Sequence, residues 1–256
     1  LGSTALHLAA ACNHVEALRE LVWGGARVAA KTGTGVSPCH IAAACGSVEC
    51  LLELIRLGSD IEAKTSAGTT ALHIAAMSGH SEVLTALIKA GACLEAEGSG
   101  GTPLHYAAMT GQVETALALV AAGADMEAVS PPGAPGTKVG TRTPLQQAAL
   151  SGHVGVATAL AAAGANINAR NEQGWTCLHF FLVWVVDEKP SDAVPHLQRL
   201  LEAGASVTLA CSHGPNPLST MLVHADDPAQ CSLPACASEL IRCDVLLGLY
   251  TQACQR

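Results

Sequence analysis

The chain has 256 residues, 50% of them hydrophobic yet only 3% aromatic, with a net charge of −8 and a pI near 5.7. Nucleic-acid binding needs a basic face that this balance does not supply, and no basic run suits an anionic lipid surface. The longest apolar stretch, residues 180–186, falls far short of the roughly 20 that cross a bilayer, so no membrane insertion is expected.

Taken in chain order, one seven-residue phrase keeps returning. It reads Thr4-Ala5-Leu6-His7-Leu8-Ala9-Ala10, then Ser37-Pro38-Cys39-His40-Ile41-Ala42-Ala43, then Thr70-Ala71-Leu72-His73-Ile74-Ala75-Ala76. Thr102-Pro103-Leu104-His105-Tyr106-Ala107-Ala108 and Thr143-Pro144-Leu145-Gln146-Gln147-Ala148-Ala149 follow. Thr176-Cys177-Leu178-His179-Phe180-Phe181-Leu182 is looser, and Asn216-Pro217-Leu218 looser still. Successive openings lie 33, 33, 32, 41, 33 and 40 residues apart. A period of this size means stacked units, each burying its apolar face on its neighbours.

Each unit reads as two helices. The opening Thr or Ser is an N-cap, and proline one place later suits the first helical residue, whose amide needs no partner. A glycine then ends the first helix at Gly46, Gly79, Gly111 and Gly152, with Asn13 in that place in the first unit. Apolar spacing such as Val15, Leu18, Leu21 and Val22, or Val83, Leu84, Leu87 and Ile88, predicts the second helix. It stops at a glycine 21 residues after the opening: Gly25, Gly58, Gly91, Gly123 and Gly164. A short extended stretch such as 165–169 leads through a polar turn to the next phrase.

This pattern resembles the ankyrin repeat, on five strong phrases and two weak ones covering residues 1–224. The resemblance implies an all-α solenoid of stacked helix-turn-helix units with short projecting β-turn or hairpin loops. Repeats are expected over 1–215, about six with the first truncated at its start, and irregular C-terminal repeat or capping helices over 216–256. The chain opens inside a repeat at Leu1 rather than at a methionine, so more sequence upstream is expected. Two departures stand out. The connection before Thr143 carries surplus residues at 131–138, rich in proline and glycine. In the sixth unit Gly204 follows Thr176 by 28 residues rather than 21, and the surplus near 185–194 is expected to lengthen the link between its helices.

Eleven cysteines include no Cys-x2-Cys pair. Cys39 stands in the leucine place and Cys177 in the proline place, while Cys236, Cys243 and Cys254 share one face of a predicted terminal helix. Structural thiols in a reducing compartment are the reading, with no metal and no cofactor. His7, His40, His73, His105 and His179 recur at one repeat position, as a hydrogen-bonding scaffold role requires and a catalytic base does not. His14, His80 and His153 recur at the turn between helices. No nucleophile elbow, phosphate loop or zinc-protease motif is present, so no catalysis is expected. With no secretion signal in view, a monomer in the cytoplasm or nucleus is expected.

The family resemblance implies contact with a partner protein or peptide on the concave side, through turn tips and the exposed ends of first helices. Carried onto this chain, the tips are Lys31 and Thr34, Lys64 and Ser66, Glu97 and Ser99, then Arg170, Glu172, Gln173 and Trp175. The helix ends are Ala44 and Cys45, Met77 and Ser78, Met109 and Thr110, Leu150 and Ser151. Met77, Met109 and Leu150 form a row of adaptable apolar side chains, and tryptophan is enriched among binding hot spots. Packing against the next unit's turn is the alternative for both, and the 131–138 loop either reaches over the groove or plays no part. Some ankyrin proteins recruit substrates to a ubiquitin ligase through a C-terminal box with three residues between leucine and cysteine. Here Leu233 and Cys236, like Leu240 and Cys243, have two between them, so that role, like a regulatory role in a larger enzyme or channel, would rest on other sequence. Asparagine hydroxylation, known in the family, has one candidate, Asn168; the equivalents are Ala29, Glu62, Glu95, Glu127 and Thr208.

Overall fold

The computed structural model describes residues 2–131, 140–188 and 193–207. Most of the 131–138 loop, the terminal segment expected to cap the stack at 216–256, its cysteine face and the Leu-x-x-Cys pairs lie outside the described residues.

The described residues form helices in six successive pairs. They are α1 (Ala5–Ala11) with α2 (Val15–Trp23), α3 (Pro38–Cys45) with α4 (Val48–Arg56), and α5 (Ala71–Ser78) with α6 (Ser81–Lys89). Then come α7 (Pro103–Thr110) with α8 (Val113–Ala121), α9 (Pro144–Leu150) with α10 (Val154–Ala162), and α11 (Cys177–Glu188) with α12 (Ala193–Glu202). First helices pack on the first helices of neighbouring units and second helices on second helices. The result is an all-α stack with an inner layer (α1, α3, α5, α7, α9, α11) and an outer one.

The phrase explains the inner layer. Thr4, Ser37, Thr70, Thr102 and Thr143 are N-caps in extended conformation, and Pro38, Pro103 and Pro144 take the first helical place. Leu6, Leu72, Leu104, Leu145 and the paired alanines of the first five phrases are buried, and the alanines let inner helices approach closely. Outer helices contribute Leu18, Leu51, Leu84, Leu119 and Leu160, each with no exposed surface. Cys39 and Cys177 are buried where leucine and proline stand elsewhere, and burial pushes the Cys177 thiol up to about 12. Neighbouring turn tips join by backbone bonds from Ser66 N–H to the Thr34 carbonyl (2.9 Å) and from Ser99 N–H to the Ala67 carbonyl (3.0 Å).

The sixth unit departs from expectation. Its surplus residues do not simply lengthen the link, because α11 continues through Glu188 and spans 12 residues where other inner helices span 7 or 8. The cause is local. The place that holds Gly46, Gly79, Gly111 or Gly152 in other units holds Val185, so nothing stops the helix there. In the first unit Asn13 supplies the left-handed turn at φ 54, a conformation Asn tolerates better than most residues.

Candidate partner-binding surface

The repeated histidines are structural ties. Nδ1 of His73 accepts the Thr70 backbone N–H at 3.1 Å, which leaves the ring proton on Nε2 to donate to the Gly101 carbonyl at 3.1 Å in the next unit. His7, His40 and His105 make the same bonds, ending on the carbonyls of Val36, Thr69 and Arg142. Gln146 does the same work without a titratable group: Oε1 accepts the Thr143 N–H and Nε2 donates to the Ala169 carbonyl. Burial holds three of these imidazoles neutral, lowering His40 and bringing His73 and His105 down to about 4. His80 at the helix–helix turn also ties units, its Nε2 bonding the Ala44 carbonyl at 3.0 Å.

A second ladder runs along the turn strands. Glu62, Glu95 and Glu127 accept the backbone N–H of Cys93, Asp125 and Asn166 in the following unit. Asn168 occupies the same rung: its Oδ1 accepts the Ser206 N–H at 2.7 Å and its Nδ2 donates to the Gly204 carbonyl at 3.0 Å.

What remains open is the end of each inner helix. Met77 and Met109 are 37% and 39% exposed at equivalent places in adjacent units. Thr110 Oγ1 donates to the Met77 carbonyl at 2.9 Å, which fixes α7 against α5 at this point. Leu150 is half-buried against the core, as are Ser78 and Ser151 beside the row. Residues 5–11, 38–45, 71–78, 103–110 and 144–150 contain no Asp, Glu, Lys or Arg, so the inner wall is uncharged along five units. Lys31, Lys64, Arg170 and Glu172 are exposed on the turn tips, with Lys64 Nζ donating to the Glu97 carbonyl at 3.0 Å. Trp175 is half-buried, stacked on His179 at 6.1 Å and edge-on to Phe180 at 5.5 Å.

The residue after the phrase histidine shapes the join between wall and tips, a role its identity in the sequence does not announce. Tyr106 lies edge-on to His73 at 5.0 Å and its hydroxyl accepts the Gly100 N–H at 3.2 Å. A Cβ on Gly98 or Gly100 would press within 3.1–3.2 Å of that phenol, which explains the Gly98-Ser99-Gly100-Gly101 turn. One unit on, Gln147 stands there and accepts Arg142 Nε–H at 2.8 Å, while Arg142 Nη1 bonds the Gly140 carbonyl.

The outer layer carries features the sequence did not mark. Glu53, 5% exposed, is gripped by Arg56 at 2.6 Å and Arg19 at 3.2 Å, a cluster bridging α2 and α4. These guanidinium bonds hold its carboxyl down at about 2. A cleft of about 430 Å³ lies between α4 and α6, lined by Val48, Leu52, Thr85, Ala86 and Lys89, and Leu52 is 50% exposed there. Trp23, at the end of α2, is 74% exposed.

Comparison with known families decides what the stack is. The family described as "Ankyrin repeats (3 copies)" matches residues 1–65 and 39–130, and "Ankyrin repeats (many copies)" matches residues 145–182. The chain belongs to the ankyrin repeat family. Among solved structures, the crystal structure of the human ASB11 ankyrin repeat domain is similar to it at 25% identity, with a TM-score of 0.69 over 92% of this chain and 96% of that one. Comparison with curated proteins gives no match. Ankyrin repeats are in general protein–protein interaction modules, typically non-enzymatic. Among the described residues no helix is long and apolar enough to cross a membrane.

Proposed function

We propose that this ankyrin repeat chain is a non-enzymatic scaffold, acting as a monomer, that takes a partner protein or peptide on its concave groove. The observation that carries this reading is the exposure of Met77 and Met109 at equivalent places on a wall without charged side chains. Apolar side chains left more than a third exposed, in an unbroken uncharged strip, favour an apolar segment over bulk water. Leu150 extends the strip, Ser78, Thr110 and Ser151 offer hydroxyls beside it, and Lys31, Lys64, Arg170 and Glu172 form the rim. Trp175 flanks the far end with part of its ring already committed to Phe180. Buried thiols serving as packing groups support a reducing compartment, the cytoplasm or nucleus.

The experiment is affinity capture from extract of the native cells, comparing the natural chain with Met77→Ser/Met109→Ser/Leu150→Ser. The triple variant should lose the captured partner while its helical circular dichroism and melting stay those of the parent. Equal capture by both proteins would remove the groove from the account.

A further inference from the structure

The charges of this chain are sorted by face. Among the described turn tips, those of units one and two carry no carboxylate and the acids are Glu97 after unit three and Glu172 after unit five; the other acids of the first five units ride on the outer helices or the loops just after them. Of those, Glu53 is consumed by Arg19 and Arg56, and Glu62, Glu95 and Glu127 by backbone amides beside the ends of outer helices. Lys31 and Lys64 stand exposed on successive tips and form no ion pair among the described residues, Lys64 Nζ donating only to the Glu97 carbonyl. The inner wall beside them holds no Asp, Glu, Lys or Arg, and its His40 and His73 are kept neutral by burial. A protein of net charge −8 thus presents cations at the start of its groove and apolar side chains at the middle.

Resting on the groove reading above, we infer that the partner segment is acidic and apolar in a fixed order. Its carboxylates meet Lys31 and Lys64 over units one and two, and its apolar side chains meet Met77 and Met109 over units three and four. A basic segment in the same place would face Lys31 and Lys64 with no carboxylate to receive it, since the tips of units one and two hold none. The acidic outer layer repels the same segment, so charge selects the face as well as the partner. Because the two lysines are exposed, their effect is a rim effect, modest in strength and sensitive to salt.

The test is selection from a random peptide library displayed on phage, run on the intact chain, on Lys31→Glu/Lys64→Glu and on Met77→Ser/Met109→Ser. Peptides enriched by the natural chain should carry Asp or Glu on one side of an apolar pair. Their synthetic copies should bind the lysine variant roughly tenfold more weakly, as expected for reversing two exposed charges, and should weaken as salt rises. Apolar peptides without acids, bound equally by the lysine variant but not by the methionine variant, would overturn the acidic partner and leave the groove standing. Peptides bound equally by all three proteins would overturn both.

Discussion

His73 and His105 sit fully buried with their rings neutral, and this makes the stack sensitive to acid in a defined window. An unfolded histidine takes up its proton as pH falls through 6.5, whereas these two do not until about 4. Stability is therefore full above 6.5 and drains away as pH falls from there toward 4. The Glu53 carboxyl, held at about 2, adds stability that is present above 4.5 and is lost only below it, so the upper part of the window belongs to the histidines. Gln146 shows that an amide makes the same bonds. His73→Gln and His105→Gln should each raise stability near pH 5, on the order of 2 kcal/mol per site, with little change at neutral pH. Urea unfolding across pH measures this, and parallel pH profiles for variant and parent would contradict it. The role of the imidazole was legible in the sequence because it recurred. Tyr106 and Gln147 were not, because their meaning lies in glycines and an arginine from the adjoining turn.

At the level of elements, two sets of glycines look alike in sequence and differ in cost. Gly58 closes an outer helix at φ 82 with open space where a Cβ would go. Gly152 ends α9 at φ 74, and a Cβ there would run into the indole of Trp184. Trp184 in turn is held by Phe181 at 5.5 Å and His196 at 5.8 Å, so it has little room to yield. Gly58→Ala should cost roughly 1–2 kcal/mol from left-handed strain alone. Gly152→Ala should add about 1–3 kcal/mol for overpacking, read as a lower denaturation midpoint. Equal losses would mean that the indole moves aside freely. Caps, breakers and the helix period were all readable because each follows from residues close in sequence. The length of α11 was readable too, through Val185 in the glycine place, but an insertion counted only by spacing pointed to the link instead. Glu53 and Arg56 lie three apart on α4, but the cluster they form with Arg19 gave no such signal, since Arg19 joins it only when α2 meets α4.

For the whole molecule, two surfaces compete for a partner. The inner wall has periodicity and neutrality; the outer cleft between α4 and α6 has depth and the exposed Leu52. The solenoid architecture follows from the repeat, but no repeat tells which face is used, because specificity resides where units differ. Both places vary between units, but Met77 and Met109 repeat an exposed apolar side chain in adjacent units, whereas Leu52 stands between Arg19 and Thr85 and has no apolar continuation. Hydrogen exchange of the intact chain, with and without a library-selected peptide, separates the two. Protection is predicted over residues 31–36, 64–69, 71–78, 97–101 and 103–110, with α4 and α6 unchanged. Protection confined to α4 and α6 would contradict the account and move the binding face to the outer layer.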